Sequence, residues 1–258
     1  MIRPADYDGV YSREREKTIL GTLDSRVSGH ALIARFGCVG YLNSQELRAI
    51  QRTLVATAQA LPGRQVLLDL GCGVSLFGCW MAQQLRFDLI GLDFSEVAVR
   101  VLVKKSKTLM PAGARFVQAS FEATGLPARS VAAVMSLDAL YLVANPRSAL
   151  EELRRVTTPG APLVYSYYSS PRDRADWPRL TRQAGFDRVR ILDSTVDWRK
   201  YMFRKHSRRW RNRAAIRRQL GSWAEAELAV TKAMLGLDSA VPSVLSETSR
   251  HVVLAVRK

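Results

Sequence analysis

The fold is decided by Val66-Leu67-Leu68-Asp69-Leu70-Gly71-Cys72-Gly73-Val74-Ser75-Leu76-Phe77-Gly78. An apolar run ends in Asp69, a glycine turn follows, and a segment with helical spacing then begins. The run is short and flanked by polar and glycine residues, which is typical of a buried strand in a parallel sheet. Gly71 and Gly73 let the backbone turn sharply and approach a ligand, because neither carries a Cβ atom. The stretch predicts a strand, a turn and a helix.

A second carboxylate follows at a spacing typical of nucleoside-binding sites. Twenty residues after Gly73, the apolar run 87–92 ends in Asp93. At the tip of the neighbouring strand, Asp93 can accept hydrogen bonds from ribose hydroxyls. A strand-to-helix turn without a ligand is the alternative for the glycine turn alone, and the pairing with Asp93 favours a nucleoside site.

The expected ligand is cationic rather than a dinucleotide. A dinucleotide site has a third glycine three residues after the second, for close packing of helix and strand. That position is Leu76 in this chain. The carboxylate of Asp69 would repel a pyrophosphate, whereas it would attract an ammonium or sulfonium group.

These residues resemble the first two motifs of the class I S-adenosylmethionine-dependent methyltransferases. The motif residues are Asp69-Leu70-Gly71-Cys72-Gly73 and Gly91-Leu92-Asp93-Phe94-Ser95. The resemblance continues through 114–121, 126–127 and 131–140, and covers residues 64 to 168. It implies S-adenosyl-L-methionine as the cofactor, and an α/β fold with a doubly wound, seven-stranded Rossmann-like sheet whose last strand is antiparallel.

The resemblance also assigns cofactor-binding residues. They are Asp69 at the amino-acid end, Gly71, Cys72 and Gly73 in the turn, Asp93 at the ribose, Phe94, Ser120 and Phe121 around the adenine, and Leu137 and Asp138 along the methionine portion. Ser120 stands where the family often has Asp, which contacts the adenine amino group. A hydroxyl accepts that hydrogen bond more weakly than a carboxylate, so the departure bears on the affinity for the cofactor.

Strands and helices alternate from residue 64 to 193. Strands are predicted at 65–70, 87–93, 114–119, 131–137, 161–168 and 187–193, and helices at 76–86, 95–109, 146–157 and 174–184. This alternation requires a parallel sheet with right-handed crossovers and ligands at the carboxyl ends of its strands. We expect a single domain made of an amino-terminal cap (1–62), a cofactor-binding core (63–193), a basic helical insertion (194–249) and a final strand (250–258).

Composition limits the class of protein. The 258 residues are 47% hydrophobic and 24% charged, which is ordinary for a globular protein. No run of eighteen apolar residues is present and the first residues lack an apolar signal core, so we expect a cytosolic protein with no membrane partner. The three cysteines lack the spacing of metal ligands, so we expect reduced thiols and no metal site.

The net charge is +16, and the insertion contains a long run of cations. Ten cations and no acid lie between residues 199 and 218, with aromatic residues among them; we call 199–218 the basic run. One interpretation is a solvated helical face. The other is a surface for an anionic substrate, an acidic carrier protein or a nucleic-acid backbone.

Three residues are candidates for catalysis. His has a pKa suited to a general base, and His30 in the cap and His206 in the insertion could approach the acceptor. Tyr141 faces the transfer site in related folds and could orient the acceptor. By resemblance, aromatic residues of the cap would close the pocket: Tyr7, Tyr11, Phe36 and Tyr41.

Three functions remain open at this point. The first is methyl transfer to a small molecule, anionic or from secondary metabolism, with the insertion as a lid. The second is an RNA or protein methyltransferase that docks through the basic run. The third is a cofactor-binding protein of the same fold that acts as a cyclase or a regulator.

The Asp/Asn-Pro-Pro-Tyr/Phe signature of adenine methyltransferases is missing after the fourth strand, where the sequence is Leu137-Asp138-Ala139-Leu140. Its absence argues against base amines of nucleic acids as methyl acceptors.

Overall fold

The computed structural model describes residues 19–25, 40–58, 65–107, 113–171, 175–237 and 243–258. Its strands are β1 (Val66–Leu70), β2 (Asp88–Asp93), β3 (Ala114–Gln118), β4 (Ala133–Ser136), β5 (Pro162–Ser169), β6 (Phe186–Asp193) and β7 (Ser249–Arg257). Its helices are α1 (Ile19–Ser25), α2 (Ser44–Ala58), α3 (Phe77–Leu85), α4 (Glu96–Ser106), α5 (Pro146–Val156), α6 (Trp177–Gln183), α7 (Thr195–Arg211), α8 (Arg213–Leu220), α9 (Ala224–Leu235) and α10 (Val244–Glu247).

All seven strands form one sheet in the order β3-β2-β1-β4-β5-β7-β6. The first five strands pair in parallel, and β7 is antiparallel to both β5 and β6. The chain order reverses between β1 and β4, which opens a crevice at the carboxyl ends of these two strands. The predicted doubly wound sheet with an antiparallel last strand is confirmed.

Local sequence signals explain where the helices of the core begin. Asn43 Oδ1 accepts a hydrogen bond from the Glu46 amide at 2.7 Å, and Glu46 Oε2 accepts one from the Asn43 amide at 3.2 Å. This reciprocal pair satisfies two free amides at the start of α2. Ser95 and Asn145 accept from the backbone at the starts of α4 and α5 in the same way.

Apolar layers cover both faces of the sheet. On one face, α2 and α3 pack against the strands, and on the other face α5 and α6 do so. The central strands β1, β4 and β5 are buried along most of their length, as expected of strands between two layers of helices, whereas the edge strands β3 and β6 are partly exposed. Among the described residues, no helix is both long enough and apolar enough to cross a membrane.

In its described residues, the insertion between β6 and β7 contains the α-helices α7 to α10. Strand β7 begins at Ser249, one residue before the predicted boundary. Part of the charge of the insertion is used inside the fold. Arg209 is buried and pairs with Asp24 of α1 and with Glu227 of α9. Lys205, also buried, lies 3.4 Å from the same Asp24 carboxylate. The acids that neutralise these two cations therefore come from outside the basic run.

Candidate active site

The predicted turn between β1 and α3 has a backbone conformation that favours glycine. Gly71 and Gly73 have φ angles of +77° and +55°, in the left-handed region that disfavours side chains. A Cβ atom on Gly71 would also overlap that of Ala139. The amides of Gly71 and Cys72 donate to the Leu92 carbonyl at 2.7 and 3.1 Å. The turn therefore crosses from the tip of β1 to the tip of β2.

Asp93 lies at the tip of β2, where backbone donors hold it. Its Oδ2 accepts a hydrogen bond from the Gly73 amide and its Oδ1 accepts one from the Ser95 amide, each at 2.9 Å. The side chain is buried, and its orientation is set by the glycine turn and by the start of α4. A carboxylate can accept several hydrogen bonds, and binding of ribose by Asp93 stays a prediction.

Asp69 is a second buried carboxylate at the same edge of the sheet. Its side chain packs against Gly78 of α3, where a Cβ atom would overlap Oδ2. Burial, and then the charge of Asp93, raises the pKa of Asp69 to about 7. Within the described residues no cation contributes to this shift. A cation bound beside the two strand tips would lower the pKa, because an opposite charge favours the ionised carboxylate.

Cys72 contributes an apolar surface to the turn. It is buried, and burial followed by the charges of Asp69 and Asp93 raises the pKa of its thiol well above the ordinary value. The thiol is therefore neutral at physiological pH, which keeps it a poor nucleophile.

The residues predicted to surround the adenine lie along the tips of β2 and β3. Phe94 is half-buried, Ser120 is exposed, and Phe121 is buried against the turn, with its ring at the face of Gly71. The Ser120 hydroxyl donates to the Glu122 carboxylate at 3.1 Å and accepts from the Glu122 amide at 3.2 Å. Ser120 thus belongs to a short local turn at the rim of the crevice.

Leu137 and Asp138 lie at the tip of β4, as predicted for the methionine end. Leu137 is half-buried on the apolar cluster below. The Asp138 amide donates to Ser166 Oγ at 2.7 Å, and this hydroxyl donates to Asp138 Oδ1 at 2.8 Å. Asp138 Oδ2 accepts from the Tyr41 amide at 2.9 Å. The Asp138 carboxylate is thus bound by protein donors from β5 and from the cap.

A buried arginine of β7 also binds the Asp138 carboxylate. Arg250 Nη1 donates to Asp138 and, at 2.7 Å, to the Tyr168 hydroxyl. Its Nε donates to Glu46 Oε1 at 2.9 Å and its Nη2 donates to the Tyr41 carbonyl at 2.7 Å. We call these five residues the Arg250 network. It joins the cap, the tip of β4, the end of β5 and the start of β7.

Aromatic rings enclose this guanidinium and connect it to the insertion. The Tyr41 and Tyr168 ring centres lie 5.0 and 5.2 Å from Arg250 Cζ, within the range of a cation–π contact. From α7, Tyr201 lies 5.0 Å from the ring of Tyr41, and Trp198 lies 5.2 Å from the ring of Tyr168. The insertion therefore packs directly on the outer side of the network.

The structure separates the predicted catalytic residues. Tyr141 lies in a 3-10 turn after β4, with its ring edge-on to that of Tyr168 at 5.1 Å. His206 is buried between α7 and α9, with Nδ1 3.1 Å from Thr231 Oγ1. Tyr141 is thus placed beside the strand tips, whereas His206 is placed inside the insertion. His30 lies outside the described residues, as do Tyr7, Tyr11 and Phe36.

Sequence reasoning missed Arg250, Glu46 and Tyr168 as parts of the site. Arg250 could have been noticed, because a cation at the start of an otherwise apolar strand must find a carboxylate if the strand is buried. The sequence contains no signal for its partners, since Glu46 is 204 residues away and looks like an ordinary residue of a helix start.

Residues 68–165 match a protein family described as a methyltransferase domain. The chain carries a methyltransferase domain. The match agrees with the predicted resemblance to the S-adenosylmethionine-dependent methyltransferases and with the predicted cofactor. No curated protein is significantly similar in sequence to this chain.

Solved structures share the fold of this chain at low sequence identity. Phosphoethanolamine N-methyltransferase 2 of Haemonchus contortus, solved with phosphomonomethylethanolamine and S-adenosylhomocysteine, superposes with a TM-score of 0.70 at 12% identity. All of this chain is covered, and it spans 60% of the nematode enzyme. The [4+2]-cyclase SpnF (TM-score 0.69, 17% identity) is similar over 98% of this chain and 94% of its own. The cyclopropane synthase MmaA2 of Mycobacterium tuberculosis (TM-score 0.69, 13% identity) is similar over 99% of both chains. At these identities the likeness shows the fold alone.

Proposed function

We propose that this protein transfers the methyl group of S-adenosylmethionine to a small-molecule acceptor. The observation that carries the proposal is the glycine turn that joins two buried carboxylates at neighbouring strand tips. Asp69, whose pKa is raised to about 7 by burial and by Asp93, suits a ligand that brings positive charge. The cofactor has an ammonium and a sulfonium group, whereas a dinucleotide would bring a pyrophosphate to the same place.

In the proposed reaction the methyl group moves by in-line displacement and the sulfonium loses its charge. The protein has to hold the acceptor in line with the methyl carbon and to exclude water. Asp69 would orient the amino-acid end of the cofactor, Asp93 would bind the ribose, and Tyr141 would orient the acceptor. His30 and His206 remain proposals for a general base, and the buried position of His206 requires the insertion to open for that role.

Aromatic residues of the cap and the insertion near the methionine end support a small acceptor. Tyr41 of the cap lies on the tip of β4, and Trp198 and Tyr201 of the insertion pack behind it. An acceptor at the methionine end would have to fit between these aromatic walls and the sheet, which favours a compact, partly apolar molecule. A cytosolic role in biosynthesis, and an anionic acceptor, are finer parts of the same proposal.

The test is binding of S-adenosylhomocysteine, measured by calorimetry, in Asp93→Asn and in Asp88→Asn. Asparagine keeps an acceptor for one of the two backbone donors, and circular dichroism of the variant checks that the fold is retained. Loss of a hydrogen bond to a charged group should weaken binding by about 10- to 100-fold. Asp88 lies at the opposite end of β2, and its variant should bind within about twofold of the wild type. Wild-type protein that binds no S-adenosylhomocysteine, or Asp93→Asn that binds normally, would contradict the proposal.

Exposed cations favour a second candidate, methylation of RNA. The exposed members of the basic run lie on α7 and α8 and are Lys200, Arg204, Arg211, Arg213, Arg217 and Arg218. Binding to a generic RNA that weakens steeply between 50 and 200 mM salt would support this candidate. The likeness to SpnF keeps a cyclase of the same fold as a third possibility, which product analysis by mass spectrometry would identify.

A further inference from the structure

We infer that Arg250 is a positioning residue that joins the amino-terminal cap to the tip of β4, so that docking of the cap and binding of the cofactor are one coupled event. The inference deepens the proposed function and rests on it for the identity of the ligand. It concerns a residue of the last strand, outside the matched segment 68–165.

Burial makes the Arg250 network an all-or-none arrangement. Arg250 and Glu46 are both fully buried, and the side chain of Asp138 is only 14% exposed. Burial opposes the charge of Arg250, but Asp138, Tyr168 and Glu46 outweigh it, and its pKa is raised well above the ordinary value. A buried charge that loses its partner is costly. If the cap moved away from the tip of β4, Glu46 would separate from Arg250, and each charge would lose this partner.

The contacts place the cap at one position on β4. The Tyr41 amide donates to Asp138 while the Tyr41 carbonyl accepts from Arg250. Beside them, the backbone of Gly40 lies so close to the Asp138 carboxylate that a Cβ atom there would overlap Oδ2. One peptide segment of the cap is thus held by both members of an ion pair.

This geometry links the cap to the methionine end of the proposed cofactor site. Asp138 has a φ angle of +55°, which is uncommon for a residue with a side chain. Its amide and carboxylate are held by Ser166, Arg250 and Tyr41. If the ion pair is lost, Asp138 and the cap lose their shared partner at the same time, and among the described residues only the bonds from Ser166 and from the Tyr41 amide still hold Asp138. Ligand binding and cap docking should then become independent.

The experiment compares Arg250→Met with Arg257→Met, a matched control at the far end of the same strand. Arg257 is also buried, and its Nε and Nη1 have no hydrogen-bond partner among the described residues. Two further variants perturb the network gently. Arg250→Lys keeps the charge but cannot reproduce the planar fork of donors. In Gly40→Ala, the added Cβ atom would overlap the Asp138 carboxylate, so the variant disturbs the contact between cap and β4 without changing any charge.

Two readouts are measured for each variant. The first is affinity for S-adenosylhomocysteine by calorimetry. The second is hydrogen exchange of peptides covering 40–58 and, as an internal reference, 66–70, each with and without saturating S-adenosylhomocysteine. A variant that is merely less stable exchanges faster in both peptides, whereas an uncoupled cap exchanges faster in 40–58 alone.

We expect wild-type protein to gain protection in 40–58 when the ligand binds. Arg250→Met should lose that ligand-dependent gain even at saturation and should bind about tenfold more weakly, as expected when a coupling between two sites is removed. In Arg250→Lys, the gain in protection and the affinity should be intermediate between those of the wild type and Arg250→Met. Gly40→Ala should reproduce the loss of cap protection, and Arg257→Met should behave as the wild type.

Unchanged exchange of 40–58 in both Arg250→Met and Gly40→Ala would overturn the inference. If Arg250→Met does not fold, Arg250→Lys and Gly40→Ala decide the question. Wild-type protein that fails to bind S-adenosylhomocysteine would contradict the proposed function instead. In that case the exchange of 40–58 in the unliganded variants still decides whether Arg250 holds the cap.

Discussion

Two pairs of buried carboxylates lie at the same edge of the sheet and differ in what neutralises them. Asp69 and Asp93 lie at the tips of β1 and β2, and burial with their mutual repulsion raises the pKa of Asp69 to about 7. Asp138 lies at the tip of β4 and Glu46 lies in α2, and both bind the guanidinium of Arg250. The second pair has its cation built into the chain. The first pair has a member that is suited to a cation from outside, which is the physical basis for placing the cofactor there.

The largest effect is expected from removing the built-in cation. Arg250→Met leaves two carboxylates buried without their cation, so the free energy of unfolding should fall by about 3–5 kcal/mol. The triple variant Glu46→Gln/Asp138→Asn/Arg250→Met removes all three charges and should recover most of that loss. Urea denaturation measures both. A triple variant no more stable than Arg250→Met would show that the charge balance is not what makes Arg250 important.

The next effect, no larger than that of Arg250→Met, is expected from the Asp69 carboxyl in the unliganded protein. Its folded pKa of about 7 lies above its ordinary value of 3.8, so the folded state holds the proton more tightly than the unfolded chain does. The stabilising contribution is complete below pH 4 and is lost as the pH rises toward 7. At pH 8, Asp69→Asn should therefore be more stable than the wild type by up to about 4 kcal/mol, and this advantage should disappear at pH 4.

The same titration gives a readout for the ligand. A cationic ligand favours ionised Asp69, so affinity for S-adenosylmethionine should rise between pH 6 and pH 8 more steeply in the wild type than in Asp69→Asn. Calorimetry at several pH values compares the two slopes. Equal slopes would mean that ligand binding does not change the protonation of Asp69. The difference between the two carboxylate pairs would then have no bearing on cofactor binding.

The smallest effect is expected at the adenine end. Ser120→Asp restores the carboxylate that the family often has, and a charged acceptor should strengthen the hydrogen bond to the adenine amino group by about fivefold in affinity. The Glu122 carboxylate lies close by, so the gain should be larger in Ser120→Asp/Glu122→Gln. Calorimetry with S-adenosylhomocysteine measures both variants. No gain in the double variant would place the adenine away from Ser120.

The glycine turn was predictable from sequence because its causes are local. Gly71, Gly73 and Asp93 are read from one apolar run and the next, and the structure joins Gly73 to Asp93 at 2.9 Å. The alternation of strands and helices likewise predicted the sheet, since each element shows its period and its boundaries within a few residues of chain. The confirmed sheet order then places every predicted cofactor residue at a strand tip or just beyond one.

The role of the basic run was not predictable, because its partners are distant along the chain. Arg209 forms ion pairs with Asp24, which is 185 residues away along the chain, and with Glu227 of a different helix. From sequence alone, a buried cation and a solvated cation on the same helix look identical. Only the packing of α1 and α9 against α7 shows which cations serve the fold and which remain exposed.

The sequence by itself determined the sheet, the glycine turn and the family, because hydrophobic period, glycine conformations and short motif spacings act within single elements. The tertiary structure decided which charges meet. Arg250 joins Glu46 and Asp138 over separations of 204 and 112 residues, and no local pattern encodes such a meeting. An ion pair in the interior is selected by the position of whole elements in space, and that position is known only once the layers have packed.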